Sequence, residues 1–540
     1  MNKNRLGLLS TVTLGVFLLT GCGKSSNYSN QSSQKLNWMQ PSNLMTLDPS
    51  KSVDTTSANT LSNVSQGLLT SPEGSKVVAG VAKSYKVSKD GKTYTFDLRK
   101  SKWSNGDSVT AKDFVYGFQR TVNPKTASQN AYLYDHFLNY NGVKSGKMNP
   151  NKLGVSAPNN YTLVVKLSKP QSYFKYLVTQ TAFLPQNEKV ATKYGKGYGT
   201  SSDKQVYNGP FVAKGWTGTN DSWRLNKNTN FWDRKVVKLN SLKMNVVKSS
   251  QTGLNQYQTG ALDALSLTNK QQVDNFKNSK EFKKNQSVYS NFIEMNRDKV
   301  KAFKNLKIRQ ALSLAINRNQ FVNNVMGDGS TVTKGFVASG LAYKNGKDYA
   351  ETSHVKGTTD YNLSKAKKLW NEGLKETGHK GMNLTLTYDD NDVAKATSDF
   401  LQSEWEKLPG LTISNINIPK QQRIARMFSG NYDLCVTGWD AGYADPIAAL
   451  AIKISSSPMN FGKWSNKTYD NLINKSDNQD ANNSNARWND MVQAQKVLAN
   501  DVGAIPFYQS AKPSVVKDKV NGLEYNPIGS GWDFTKAYIK

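Results

Sequence analysis

Between residues 384 and 437 the spacing of apolar side chains changes period four times, and this narrows the fold more than any other feature. Leu384 to Tyr388 reads as a strand. Val393, Ala396, Phe400 and Leu401 then form a helical stripe, which Pro409-Gly410 stops. Leu411 to Ile418 is strand-like again, Gln421 to Phe428 looks helical, and 432–437 makes another strand. Strand, helix, strand, helix, strand requires an α/β lobe, with a largely parallel sheet expected. Upstream, LKIRQALSLAI (306–316) places Ile308, Leu312 and Ala315 on one helical face, and Asn317 can cap a second helix carrying Phe321, Val322 and Val325. Tyr85 to Val87 and Thr93 to Leu98 read as two strands around the Asp90-Gly91 turn. At 540 residues the chain is too long for one core, so two or three lobes are expected.

The first twenty-one residues stand apart from those lobes. Lys3 and Arg5 precede the apolar stretch Leu6 to Leu19, which ends in Leu19-Thr20-Gly21-Cys22. A basic start, a short apolar run and small residues describe a secretory signal over 1–21, and the run is short for a membrane span. Leu-Thr-Gly-Cys resembles the bacterial lipobox, which makes Cys22 the lipidated first residue of the mature chain. Residues 22–35 then read as a disordered tether, since GKSSNYSNQSSQK carries almost no apolar surface; thirteen extended residues reach roughly 40 Å. The expectation is an exported, soluble body held by lipid at the extracellular face of the cell membrane. After Cys22 only Cys435 remains, so no disulfide within the body is expected, and Cys435 in its apolar run reads as a buried, inert thiol. The formal charge of +31 falls to +29 once Lys3 and Arg5 are removed. Such a field favours anionic surroundings, but export argues against nucleic acid, and the lysines are dispersed rather than gathered into one block.

No catalytic constellation emerges. Gly91-Lys92-Thr93 mimics the end of a phosphate loop, but Lys86 stands where the first glycine belongs. His136, His354 and His379 are scattered without metal-ligand spacing, and no Gly-x-Ser-x-Gly elbow exists. Asp440 and Asp445 are too close along the chain to face one another as a glycosidase pair. Gly195-Lys196-Gly197-Tyr198-Gly199 reads as a loop. No enzyme, metal or cofactor is expected. GWDAGYADP (438–446) follows the strand 432–437 at its carboxyl end, where open α/β sheets place their ligand crevices.

Several stretches, in this order, resemble the oligopeptide-binding lipoproteins of Gram-positive peptide ABC importers, the family 5 extracellular solute-binding proteins. They are Leu47-Asp48-Pro49, YTFDLRKSKWSNGDSVTAKDFVYGFQR (94–120), Asn208-Gly209-Pro210-Phe211, Ile308-Arg309-Gln310-Ala311-Leu312, GWDAGYADP and Ile505-Pro506-Phe507-Tyr508. The resemblance implies a periplasmic-binding-protein-like α/β fold, with two hinged lobes and an additional inserted domain. The first lobe would comprise 36–65, 200–287 and 510–540, the inserted domain 66–199, and the second lobe 288–509. It implies a monomer that encloses an oligopeptide between the lobes and presents it to transmembrane permease subunits, with ATP hydrolysis on other chains. The peptide would lie as an added strand between Val53-Asp54-Thr55 and the segment Val436, Thr437, Gly438, Trp439, Asp440, Ala441 and Gly442. Trp439 would wall the pocket, with Tyr443 beside it, and Tyr132 would close another side.

The chain departs from the family at Ala441-Gly442-Tyr443, where relatives carry an acid that pairs with the peptide's α-amino group. A buried ammonium left unpaired costs several kcal/mol. Asp440 lies on the same side of the strand, about 6–7 Å along; Asp54 faces it across the cleft; or no free amine is read. Val436 and Ser313 stand where short-peptide binders use basic residues, which suggests long or internally bound peptides. A signalling-peptide receptor, an oligosaccharide binder and a charge-driven adhesin are the other readings, the last marked by steep salt dependence.

Overall fold

The computed structural model describes residues 34–73, 76–529 and 531–540. The signal segment, Cys22 and the tether as far as residue 33 lie outside the described residues. Lys35, assigned to the tether for want of apolar neighbours, instead opens the strand Lys35–Gln40. That strand finds its partner 206 residues away, pairing in parallel from Lys35 with Ser241 to Gln40 with Val246. Gln34 ties the start of the body to its end: its Nε2 donates to Ile539 O (2.7 Å) and its Oε1 accepts from Ile539 N (3.0 Å).

Two large sheets organise the molecule. The first has seven strands, in the order Phe211–Lys214, Ser222–Lys227, Ser241–Val246, Lys35–Gln40, Ala264–Ser266, Ser514–Val516, Phe282–Lys283. The second has six, in the order Thr331–Val332, Ile505–Gln509, Tyr289–Met295, Leu434–Asp440, Met382–Asp389, Leu411–Ile418. Each carries its own apolar core, one built around Trp38, Trp223 and Phe534, the other around Phe303, Trp370 and Trp405. The strand–helix–strand–helix–strand run is present, with helices Asp392–Trp405 and Lys420–Ser429 between its strands. Only that run is parallel; the rest of the sheet pairs antiparallel. The chain enters this sheet through Tyr289–Met295 and leaves through Ile505–Gln509, so these two strands run in opposite directions and the sheet is mixed rather than largely parallel.

A third, antiparallel sheet of four strands (Ala82–Val87, Thr93–Leu98, Thr162–Lys166, Val155–Asn159) belongs to the inserted domain. Gly91 takes φ +69° at the Asp-Gly turn between the first two strands, as a left-handed turn position requires. Helix Ala111–Val122 covers this sheet with Phe114, Phe118 and Val122, all fully buried. Its final turn supplies Arg120, whose guanidinium grips Asp48 through two 2.7 Å bonds and ties the inserted domain to the first lobe.

The two lobes are joined where the chain crosses near residues 285 and 512. Lys512 N donates to Asn285 O (3.0 Å) and Asn285 Nδ2 donates back to Lys512 O (3.0 Å), so the two crossings form a paired hinge. One expected helix differs: Asn317 does cap a turn, Oδ1 accepting from Gln320 N at 3.1 Å. The chain then widens into a π-helical stretch, Phe321–Met326, which Gly327 ends at φ +56°.

Candidate functional site

Between the lobes lies a chamber with about 1920 Å³ of empty space, its open mouth included. Its first wall is the extended segment ending at helix Thr55–Val64. Asp54 caps this helix, Oδ1 accepting from Thr56 N and Ser57 N at 3.0 Å each. Val53, Asp54 and Thr55 all face the chamber. Asp54 is 5% exposed, and its Oδ2 has no hydrogen-bond partner among the described residues.

The opposite wall is Leu434–Asp440. Sequence pattern ends this strand at 437; in the structure Gly438, Trp439 and Asp440 continue it, paired with Asn291, Ser290 and Tyr289. Gly and Asp have poor strand propensity, so this neighbouring strand, not local preference, extends the ladder. On the other side Met382–Asp389 pairs only with Leu434 and Cys435. From Val436 onward the strand has a neighbour on one side alone among the described strands.

Thr437, Gly438, Trp439, Asp440, Ala441, Gly442 and Tyr443 line the chamber, as does Tyr132 from the inserted domain. The Val436 side chain does not; it packs against the second lobe's core. Ser313 is likewise interior, donating to Thr358 O at 3.0 Å and accepting from Arg318. Trp439 is anchored by its Nε1, which donates to Ala448 O at 2.8 Å. Asp440 Oδ1 accepts from Gly529 N (3.1 Å) and Gly442 N (3.3 Å). Burial pushes the Asp440 carboxyl above the ordinary carboxylate value, with Lys512 and those two N–H groups opposing. Asp445 turns elsewhere, into a two-bond pair with Arg487 (2.8 and 2.9 Å). Cys435 is fully buried, and burial pushes its thiol up to about 12.

At Gly442 two requirements coincide. Its φ is +72°, and an added Cβ would stand 2.5 Å from Gln180 Oε1. Gln180, from the inserted domain, donates through Nε2 to Gly442 O at 2.5 Å. A neutral amide thus occupies the surroundings of the position where the family resemblance implies an acid.

Four contributors lie outside the expected set. Arg423, on helix Lys420–Ser429, is buried; it donates to Asp389 Oδ1 (2.6 Å) and to Thr437 Oγ1 (3.0 Å). Burial disfavours its charge, but Asp389 outweighs burial and holds the guanidinium above its usual value. Tyr289 lies over Gly438, where a Cβ would meet its ring at 2.1 Å; burial pushes its phenol up to about 12. Lys420 Nζ reaches across the chamber to Thr55 Oγ1 at 3.3 Å. Gln180 is the fourth. The helical pattern at 421–428 does carry one signal for Arg423, a charged residue one turn before apolar Met427 on the same stripe.

Two hinged α/β lobes closing on a chamber, with a third domain at its side, define a solute-binding protein. The chain belongs to the bacterial extracellular solute-binding proteins, family 5, whose middle region matches residues 76–461. It is 35% identical over 552 residues to the dipeptide-binding protein of Lactococcus lactis subsp. cremoris, covering 99% of each chain. It superposes with a TM-score of 0.89 on OppA of Listeria monocytogenes bound to peptide, at 33% identity, covering 94% of this chain and 99% of that one. The pheromone receptor PrgZ matches equally, with a TM-score of 0.89, 33% identity, and 94% and 100% coverage.

Proposed function

We propose that this protein captures oligopeptides in the interlobe chamber and hands them to the transmembrane subunits of an ABC importer, as a monomer anchored outside the cell membrane by lipid on Cys22. The carrying observation is the one-sided strand: from Thr437 to Asp440 its edge, unpaired among the described strands, borders the chamber opposite Val53–Thr55 of the other lobe. An extended peptide completes such an edge with main-chain bonds that ignore side-chain identity. The similarity to a relative solved with peptide supports the reading. We place the lobe boundaries at 65/66, 199/200, 287/288 and 509/510; support for the last two is that the strands before and after each crossing belong to different sheets.

Asp440 accepts its two N–H groups on Oδ1 and Asp54 caps its helix through Oδ1, so with no acid at Gly442 a ligand amine would have only the remaining Oδ2 of either acid to meet. Long or internally bound peptides suit this arrangement. The test is mass spectrometry of material released on denaturing the purified protein, followed by calorimetry with peptides of graded length, free and N-acetylated. The expected outcome is a mixture of peptides, and acetylation weakening binding less than about tenfold, or about 1.4 kcal/mol. A lone glycan, or no ligand and no peptide affinity, overturns the peptide reading; loss of binding on acetylation overturns the open-ended form of it.

A further inference from the structure

Away from the chamber, the inserted domain and the second lobe meet at one buried carboxylate. Asp477 ends helix Lys467–Asp477 of the second lobe. Its Oδ2 lies 2.7 Å from Nε2 of His136, a ring only 1% exposed in the inserted domain. Its Oδ1 accepts from the Tyr173 hydroxyl at 3.1 Å, again from the inserted domain. Lys169, from the same side, stands 3.9 Å from Oδ2 and donates to Asn478 Oδ1 at 2.7 Å. Asp135 approaches the same ring nitrogen, 3.8 Å from Nε2.

This cluster is coupled to the chamber. The Tyr173 ring stacks on Tyr443, centroids 5.6 Å apart and planes within 6°, and Tyr443 lines the chamber. Arg487, which holds Asp445, sits 5.1 Å over the same Tyr173 ring. One carboxylate therefore gathers two hydrogen bonds from the other domain and, through Tyr173, steadies an aromatic wall of the site.

Asp135, His136 and Asp477 bring three metal-binding atoms within 4.8 Å of one another. The direct His136–Asp477 contact takes the space a cation would need, and the Lys169 ammonium repels one. A hydrogen-bonded clasp on the Asp477 carboxylate fits these atoms better. A buried pair contributes little net stability, because desolvation offsets its attraction, yet deleting one partner leaves a charge stranded. Contacts of this kind weigh little on the separate domains and heavily on the joined state.

We propose that Asp477 is a positioning residue for the binding site. By receiving His136 and Tyr173 it clasps the inserted domain to the second lobe and sets Tyr443 against the ligand, so it governs how slowly a bound ligand leaves. This inference rests on the peptide-binding reading above.

The experiment measures association and dissociation of a fluorescent nonapeptide with the full mature chain by stopped flow, in the wild type and in Asp477→Asn, His136→Gln and Tyr173→Phe. Dissociation is expected to quicken about tenfold in the first two and less in the third, with association within about twofold, since loss of a buried paired charge acts on the off-rate. The double variant H136Q/D477N is expected to add little to either single change, as members of one pair do. Asp477→Glu restores part of the slow release, and ligand-free melting temperatures stay within a few degrees, which separates positioning from general support. Wild-type dissociation in all three variants overturns the clasp while leaving peptide binding intact. A wild type that binds neither the nonapeptide nor shorter and longer ones overturns the peptide reading, and the clasp with it.

Discussion

At the scale of single residues, Gly438 is the position where the site has least freedom. Its neighbour across the ladder is Asn291, and the Tyr289 ring folds over it so closely that a Cβ would sit 2.1 Å from the ring. Gly438→Ala is expected to push Tyr289 off the chamber wall. Overpacking of this kind costs about 1–3 kcal/mol, so a lowered denaturation midpoint and weaker peptide affinity are expected together. Urea titration and calorimetry check the two effects. Trp439 and Gly442 are legible in the sequence because they interrupt a conspicuous acidic, aromatic segment at a strand's end. Gln180 is not legible in that way: it reaches Gly442 from 262 residues away, and only the folded chain brings an unremarkable amide to that place. Asp48 and Arg120 show a different limit. Both lie in stretches that carry the family resemblance, yet together they form a structural pair between lobe and inserted domain, outside the chamber lining.

At the scale of elements, the strand Leu434–Asp440 combines a paired edge and an edge open beyond Cys435. Its apolar start is legible, since Leu434, Cys435 and Val436 form a short apolar run. Its last three residues are not, because Gly438 and Asp440 disfavour strands and are held there by Tyr289, Ser290 and Asn291. The same cause explains the mixed sheet: periodicity reveals a strand's existence, whereas its direction depends on where the chain enters and leaves the lobe. An added strand bonds through alternate residues, every second amide pointing towards the partner edge. Scanning a bound peptide with N-methyl groups is therefore expected to weaken binding at every second position, each loss about 0.5–1.5 kcal/mol or more. An alanine scan of the same peptide is expected to show smaller effects. Equal sensitivity along the whole peptide, beyond the few amides that also face Val53–Thr55, would rule out strand-like docking.

At the scale of the whole molecule, joining the domains is linked to protons. Asp477 faces His136, Asp135, Lys169 and Tyr173, with Arg487 beyond Tyr173. Burial disfavours its carboxylate, but the hydrogen bond from His136 and the nearby His136 and Lys169 charges outweigh it, holding the acid below the usual carboxylate range. When the domains part, Asp477 becomes a hydrated carboxylate near its ordinary value of about 3.9. The joined state thus binds fewer protons, so the carboxylate's contribution is complete above that value and is lost as pH falls through the depressed one. Peptide release is expected to accelerate as pH drops below about 4, and Asp477→Asn to remove much of that dependence, as read from dissociation rates across pH. The number of lobes and their α/β character are legible from length and from the 384–437 pattern. The clasp is not, because His136 and Asp477 are separated by 341 residues and neither sits in a recognisable motif.

The strand Lys35–Gln40 lies inside the seven-stranded sheet, bordered by Ser241–Val246 and Ala264–Ser266, and Gln34 before it is fastened to Ile539. A tug arriving from the leading end of the chain must drag six residues lengthwise past their neighbours, so the bonds share the load instead of opening one after another like a zip. Tension applied from that end would thereby be spent within the first lobe, leaving the second free of it.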